Sequence, residues 1–259
     1  MAERIDLARA RILVTNDDGI EAPGIKLLTR VAKAVSRDVW VVAPEVEQSG
    51  ASHSLTLHRP LRLRKLGPKR FAVDGTPTDC VLLAINCVLE DKRPTLVLSG
   101  VNGGANMGED LTYSGTVAAA MEATLLGVKA IAFSQVVGDT GPLRFACAAA
   151  FAEKVLRRLA ALPWADETLY NVNFPNLPPG KVTGIVAAAQ GGRKIGDHLI
   201  KRLDPRGRPY YWIGPQRDDE RTRRGSDVRG ISEGKVTVTP VFLDLTNRRA
   251  LGWLKKAMP

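Results

Sequence analysis

The sequence is poor in the residues that build several common kinds of site. Its 259 residues include three cysteines and three histidines, and only 5% are aromatic. The cysteines form no C-x-x-C pair and no two histidines lie four residues apart, so neither a zinc site nor a disulfide framework is expected. We interpret Cys80, Cys87 and Cys147 as buried apolar side chains. Any metal ion should therefore be held by oxygen ligands.

Long apolar runs are also missing. No run approaches the roughly 20 residues that a membrane-spanning helix requires. The first residues show no apolar stretch followed by a small-residue cleavage site, as a signal peptide would. These absences predict a cytoplasmic protein without a membrane partner.

The net charge of +10 raises the question of nucleic-acid binding. Much of the excess lies between residues 181 and 229, where acidic residues are interleaved with it. The low aromatic content provides few platforms for stacking bases, and no known nucleic-acid motif is present. We expect a basic face that steers anionic substrates, and no stable nucleic-acid partner. A basic nucleotide- or RNA-binding protein without catalysis is the alternative.

The order of apolar segments predicts an α/β fold with a mainly parallel sheet. Short β-branched runs alternate with longer segments of helical periodicity, as in βαβ units. Cys80 and Cys87 would share one buried face of a helix over residues 78–89, and residues 56–73 resemble a hairpin or a pair of edge strands. The remaining strands are expected at 11–15, 39–43, 95–99, 129–134, 169–174 and 236–239, and the remaining helices after Pro23 and at 116–126, 145–162 and 249–257.

The chain changes character after Pro175. Residues 1–180 contain the alternating pattern, whereas residues 181–259 contain scattered strands, a basic glycine-rich segment and a final amphipathic helix. This second part has too little apolar sequence to fold as an independent domain. We interpret it as strands and an extended β arm that lengthen the first part or exchange with a neighbouring subunit.

The strongest local signal is the pair Asp17 and Asp18 at the end of the first strand. Adjacent carboxylates in a partly dry cleft repel each other unless a cation lies between them. Ligands in open α/β sheets bind beyond the carboxyl ends of the strands, where this pair falls. Asn, Asp and Gly also favour turns, so a plain turn at residues 16–19 is the alternative.

Two further loops favour the metal interpretation. Ser49 follows the second strand, and Asn102 follows the strand at 95–99 within a Gly/Asn-rich loop. A hydroxyl and an amide oxygen joining two carboxylates form a set suited to Mg²⁺ or Mn²⁺.

The segment Ser114-Gly115-Thr116 precedes an Ala-rich helix. Free N–H groups and the helix dipole favour a phosphate at such a start, although the segment could be only an N-cap. No Walker A lysine follows, and no G-x-G-x-x-G motif follows the first strand, which disfavours ATP-driven and NAD-dependent enzymes.

These motifs together resemble the SurE family (stationary-phase survival protein), which are metal-dependent nucleotidases. The matching segments occur in order over nearly the whole chain, at residues 12–19, 22–24, 43–44, 48–50, 75–80, 99–117, 171–175, 204–207, 211–212, 239–240 and 244–246. The segment Gly225-Ser226-Asp227 departs from the family, in which Thr is commoner than Ser at the middle position. Because this segment belongs to the arm, the departure puts little of the chemistry in doubt.

The resemblance implies a Rossmann-like, three-layer fold with helices on both faces of the sheet. It implies that Asp17, Asp18, Ser49 and Asn102 bind one divalent cation per subunit, and that Asn106 lies at the phosphate with the start formed by residues 114–116. The implied substrates are nucleoside 5′- and 3′-monophosphates and, in some members, short polyphosphate. The implied assembly is a homodimer, or a tetramer, through an exchanged C-terminal arm.

The expected reaction is in-line attack of water on phosphorus, activated by the cation. Asp17 and Asp18 would act as the catalytic carboxylates, holding the metal while one of them orients or deprotonates the water. An aspartyl-phosphate mechanism, with an Asp as nucleophile, is the enzymatic alternative. A role of His53 in proton transfer stays open.

Overall fold

The computed structural model of the chain describes residues 4–138, 144–192, 199–213 and 223–258. The strands are β1 (Arg11–Thr15), β2 (Asp38–Pro44), β3 (Leu63–Gly67), β4 (Arg70–Val73), β5 (Leu96–Asn102), β6 (Lys129–Gln135), β7 (Thr168–Phe174), β8 (Gly184–Ala187), β9 (Leu199–Leu203), β10 (Pro209–Ile213) and β11 (Lys235–Phe242). The α-helices are α1 (Pro23–Val35), α2 (Pro77–Leu83), α3 (Gly115–Leu125), α4 (Ala146–Ala160), α5 (Asp227–Ser232) and α6 (Arg248–Ala257).

Local sequence explains where the helices begin. Pro23 occupies the first turn of α1, where its missing N–H costs nothing. Thr76 and Asp79 form a capping box at α2, each side chain accepting from the other residue's backbone N–H. The hydroxyl oxygen of Ser114 accepts from the Val117 N–H and caps α3.

Nine strands form the main sheet in the order β3-β4-β2-β1-β5-β6-β7-β11-β8. Pairing is parallel from β4 to β7, antiparallel between β3 and β4 and between β7 and β11, and parallel again between β11 and β8. The predicted mainly parallel α/β sheet is therefore confirmed. Residues 181–259 contribute β8 and β11 to this sheet.

Helices cover the sheet on both faces and form two apolar cores. Along β1, Ile12 and Val14 point into a core with α1 and α4, whereas Leu13 points into a core with α2 and α3. This alternation is the period of two that a central strand imposes. Because every strand from β4 to β7 runs the same way, their carboxyl ends meet at one edge, and the candidate site lies there.

Two local expectations differ from the structure in part. The hairpin expected over 56–73 is confirmed, because β3 and β4 pair antiparallel, but it begins only at Leu63. Residues 45–62 lie outside any strand or helix. Cys80 and Cys147 are buried as expected, but Cys87 is exposed. The reason is that α2 passes into a π-helical turn at Ala84–Val88. A π turn holds more residues than an α turn, so a seven-residue spacing no longer returns to the buried face.

The hairpin of β9 and β10 pairs as a separate two-stranded antiparallel sheet. Ala189, which precedes the hairpin, forms a parallel bridge with Ser226, which follows it. The two ends of the segment that contains the hairpin are therefore neighbours. The Ala189 N–H donates to Gly225 O at 3.0 Å, and the Asp227 N–H donates to Ala189 O at 2.9 Å. Residues 190–225 thus start and end at neighbouring positions beside the main sheet, which these hydrogen bonds hold together.

Candidate active site

Asp17 and Asp18 lie in the turn that follows β1. The Asn16 side chain donates to Gly19 O at 2.9 Å, and Gly19 adopts a left-handed φ of 97° that favours glycine. The turn named as the alternative is therefore present, and it places both carboxylates at the carboxyl edge of the sheet. Asp17 is only 4% exposed.

Burial raises the pKa of both carboxylates. For Asp17 burial is the largest effect, and hydrogen bonds, chiefly from the Thr116 hydroxyl, offset part of it. For Asp18, burial and then the charge of Asp17 raise the pKa to about 6. Glu47 adds negative charge and raises the pKa of each further. Without a cation, the site therefore holds more negative charge than it can easily accommodate.

A cleft of about 530 Å³ opens beside Asp17. It brings together side chains from three strand ends and from the start of α3. Its lining is Asp17, Ser49, Gly50, Asn102, Gly104, Ala105, Asn106, Asp110, Tyr113, Ser114 and Ile213. Four of the predicted site residues besides Asp17 are thus in one cleft.

The other three predicted residues lie next to it. Asp18 accepts a hydrogen bond from the Gly103 N–H at 3.3 Å. A Cβ on Gly115 would stand 3.0 Å from Asp17 Oδ2, so glycine allows α3 to approach that carboxylate. Thr116 donates its hydroxyl to Asp17 Oδ1.

The donor set fits a hard divalent cation. The buried carboxylate of Asp17 and the partly buried one of Asp18 supply charge. Asn102 directs its Nδ2 to Gly104 O at 2.9 Å, which leaves its Oδ1 as a ligand atom. The Ser49 hydroxyl donates to Glu47 Oε1 at 2.7 Å, so its oxygen can still accept. In the described residues no group of three or more His, Cys, Asp or Glu side chains could hold a metal. Hydroxyl, amide and water oxygens would have to complete the coordination, as Mg²⁺ and Mn²⁺ allow.

The start of α3, which lies against Asp17, suits a phosphate. The first N–H groups of the helix have no intrahelical acceptor. The Val117 N–H donates to the Ser114 hydroxyl, and the Thr116 N–H donates to the Asp17 carboxylate. The helix dipole adds partial positive charge at this end. Thr116 joins this helix start to the carboxylates, since its hydroxyl contacts Asp17.

Sequence reasoning missed the residues that hold Asn106. Its backbone N–H donates to Asn173 Oδ1 at 3.0 Å, and its carbonyl oxygen accepts from Asn171 and Asn173 at 2.8 and 2.9 Å. Its own amide donates to Ser134 at 2.8 Å. The signal was present, because two asparagines two apart in an otherwise apolar strand share one face and need polar partners.

The segment containing Asp227 also lies closer to the cleft than its place in the arm suggested. Asp227 is fully buried, and its Oδ2 accepts from the Gly108 N–H at 3.0 Å, within the same loop as Asn106. The sequence placed this segment in the arm, away from the predicted site residues. The structure instead packs it against the loop that lines the cleft.

Comparison with known proteins agrees with the predicted family resemblance over most of the chain. The family model described as survival protein SurE matches residues 12–197. This chain belongs to the SurE family. A SurE relative from Paramagnetospirillum magneticum, named 5′-nucleotidase SurE, is 54% identical over 252 residues, covering 97% of each chain. Another of that name from Rhodospirillum rubrum is 56% identical over 245 residues, covering 93% of this chain and 94% of its own.

A solved SurE structure shares the fold. The crystal structure of the SurE protein from Aquifex aeolicus superposes with a TM-score of 0.82 at 40% identity, covering 96% of this chain and 99% of that one. The predicted SurE resemblance and Rossmann-like fold are confirmed. None of the described helices is both long and apolar enough to cross a membrane.

Proposed function

We propose that this protein is a divalent-metal-dependent 5′-nucleotidase, which hydrolyses nucleoside 5′-monophosphates to nucleoside and phosphate. The observation that carries the proposal is the cleft, which brings oxygen ligands from three strand ends together with the start of α3. The relatives named 5′-nucleotidase SurE support this reaction class. From the family resemblance, 3′-monophosphates and short polyphosphate are further proposed substrates.

Each residue has a distinct task in the proposed reaction. Asp17, Asp18, Ser49 and Asn102 hold one Mg²⁺ or Mn²⁺ per subunit. When bound, this cation supplies Lewis-acid activation of the phosphate and of the attacking water. Asn106 and the α3 start at residues 114–116 bind the phosphate oxygens and stabilise the charge that develops on them.

Thr116 links the two halves of the cleft. Its hydroxyl donates to Asp17 Oδ1, which fixes one rotamer of a carboxylate that is almost fully buried. The other Asp17 oxygen and the Asp18 carboxylate then remain for the cation and for orienting water. Fixed ligand geometry matters because small displacements of the reacting groups cost large factors in rate.

The test is phosphate release from nucleoside 5′- and 3′-monophosphates with Mn²⁺, Mg²⁺ or EDTA. We expect activity with the metals and none with EDTA. Asp17→Asn and Asp18→Asn should each lower kcat/KM by about 10²-fold or more, since each removes a charged ligand. Asp166→Asn is the matched control, because this exposed carboxyl precedes β7 at the opposite edge of the sheet.

Several results would contradict the proposal or its mechanism. Activity that survives chelation, or that both Asp variants retain, would exclude the metal site. Tight, salt-sensitive RNA binding with no phosphate release would favour the non-catalytic alternative. A trapped phospho-enzyme would favour the aspartyl-phosphate mechanism over direct attack by water.

We also propose a cytoplasmic homodimer, or a tetramer, joined through an exchanged C-terminal arm. Supporting this, Tyr211, Trp212 and Ile213 on β10 are 59%, 63% and 70% exposed, and Trp253 on α6 is 60% exposed. Large apolar side chains in such number mark a contact surface. Light scattering should give a multiple of the monomer mass, and Trp212→Ser should lower it. Leu162→Ser, at an exposed apolar residue after α4, is the control. A monomeric wild type would contradict the proposal.

A further inference from the structure

The loop between β5 and α3 forms much of the cleft, and its central residue is Gly108. This loop, residues 103–114, contributes Asn106, Asp110, Tyr113 and Ser114 to the lining. Gly108 lies in the middle with a left-handed φ of 56° and begins a 3-10 turn, Gly108–Thr112. The asparagines of β7 hold the loop at Asn106, but they do not contact Gly108.

Gly108 is held from the C-terminal part of the chain. Its N–H donates to Asp227 Oδ2 at 3.0 Å, and its carbonyl oxygen accepts from Gln190 Nε2 at 2.9 Å. Both polar groups of one loop residue are therefore bound by side chains that lie 119 and 82 positions away in the sequence. We call Asp227 and Gln190 the Gly108 clamp.

The other hydrogen bonds of Asp227 also come from backbone N–H groups. Its Oδ1 accepts from the Gly191 N–H at 2.8 Å and from the Val228 N–H at 2.7 Å. A Cβ on Gly191 would stand 2.8 Å from the same oxygen, so the neighbouring backbone fits closely around the carboxylate. With three backbone donors and no solvent exposure, this carboxylate is neither a metal ligand nor a general base.

We propose that Asp227 and Gln190 are positioning residues for the phosphate-binding loop. The inference rests on the proposed nucleotidase function. The clamp fixes the peptide groups two residues after Asn106, and β7 fixes Asn106 itself, so the loop is tied on both sides. A buried carboxylate persists only where its hydrogen bonds repay its desolvation. Here one of those bonds goes to the loop that lines the cleft.

The experiment uses two variants of the full-length enzyme. Gln190→Met keeps the length of an exposed side chain and removes the bond to Gly108 O. Asp227→Asn keeps the shape of the side chain but turns an N–H group towards at least one backbone N–H. We expect kcat for a nucleoside 5′-monophosphate to fall about 5-fold in Gln190→Met and about 10²-fold in Asp227→Asn. Inhibition by inorganic phosphate should weaken in the same order.

Mn²⁺ affinity separates positioning of this loop from damage to the cation site. Measured by electron paramagnetic resonance without substrate, it should stay within about 2-fold of wild type, because the clamp does not contact Asp17, Asp18, Ser49 or Asn102. Asp6→Asn is the control, since Asp6 is an exposed carboxyl that accepts from the Ala8 N–H at 3.1 Å. It should leave both readouts unchanged.

Several outcomes would overturn the inference. Variants that keep wild-type kcat and phosphate inhibition while only their thermal stability falls would show a purely structural role. Loss of Mn²⁺ affinity, with activity restored by excess Mn²⁺, would place the effect at the cation site. If Asp227→Asn does not fold, the kcat and the phosphate inhibition of Gln190→Met test the inference by themselves.

Hydrogen exchange at the Gly108 amide tests the clamp without any activity. We expect exchange to be at least about 10-fold faster in folded Asp227→Asn than in wild type, because this variant loses the acceptor of the Gly108 N–H. An unchanged rate in that variant would refute the contact of Asp227 with the loop even if the enzyme is active. A wild type that releases no phosphate, but shows faster Gly108 exchange in Asp227→Asn, would refute the proposed function and leave the clamp in place.

Discussion

Replacing Asp18 by Asn should stabilise the metal-free protein. Burial and the charge of Asp17 raise the pKa of Asp18 from 3.8 to about 6. A shift of about two units corresponds to about 3 kcal/mol, and we take about 2 kcal/mol because the carboxyl is partly open to solvent. The folded protein then binds more protons than the unfolded chain between about pH 4 and pH 6. The free energy of unfolding should therefore fall as pH rises through this interval.

Urea unfolding in EDTA measures this effect. At pH 7.5, Asp18→Asn should be about 2 kcal/mol more stable than wild type, and the difference should vanish near pH 4, where the wild-type carboxyl is protonated. Excess Mn²⁺ should reverse the order, since about 100-fold over Kd stabilises wild type by about 2.7 kcal/mol. Asp166→Asn should show neither effect. A metal-free Asp18→Asn that is less stable than wild type at pH 7.5 would refute the reasoning.

Three further substitutions test other contacts. Burial alone would raise the pKa of Asp38, but bonds from Lys69, Arg11 and Trp40 hold it well below its usual range. Asp38→Asn should therefore cost about 1 kcal/mol at pH 7, measured by urea unfolding. The difference should shrink below about pH 4, where the unfolded wild-type chain binds a proton at Asp38 that the folded protein does not. His53→Ala removes the 2.9 Å partner of buried Glu122 and should cost about 1–3 kcal/mol, partly recovered by adding Glu122→Gln; no recovery would contradict this. Asn173→Ala should lower the free energy of unfolding by about 2 kcal/mol and reduce kcat, and Asn173→Asp should be no milder, because it turns a buried carboxylate oxygen towards the Asn106 carbonyl.

The sequence was informative where chemistry is local. Asp17 and Asp18 follow an obvious strand, and the parallel arrangement that alternation predicts brings Ser49 and Asn102 to the same edge. The helix start at Ser114 could also be predicted, because capping depends on a few neighbouring residues. For the same reason the α/β fold and most helices and strands followed from periodicity and turn residues.

Contacts between residues that are far apart in the sequence could not be predicted from it. Asp227 bonds to Gly108 across 119 positions, and no local pattern specifies that pairing. The exposure of Cys87 depends on a single π turn, which leaves no mark in a seven-residue spacing. Asn173 had a visible signal in its strand, but its partner Asn106 lies in a loop whose course only tertiary packing determines.

The bridge between Ala189 and Ser226 has an evolutionary consequence. Because the two ends of the segment at residues 190–225 are neighbours, its length and surface can change without altering the order of strands in the main sheet. Insertions with adjacent ends are the kind that folds tolerate best. The surface of this segment can thus diversify between lineages while the main sheet stays constant, provided that the residues at its two ends, and Ile213 where it lines the cleft, are retained.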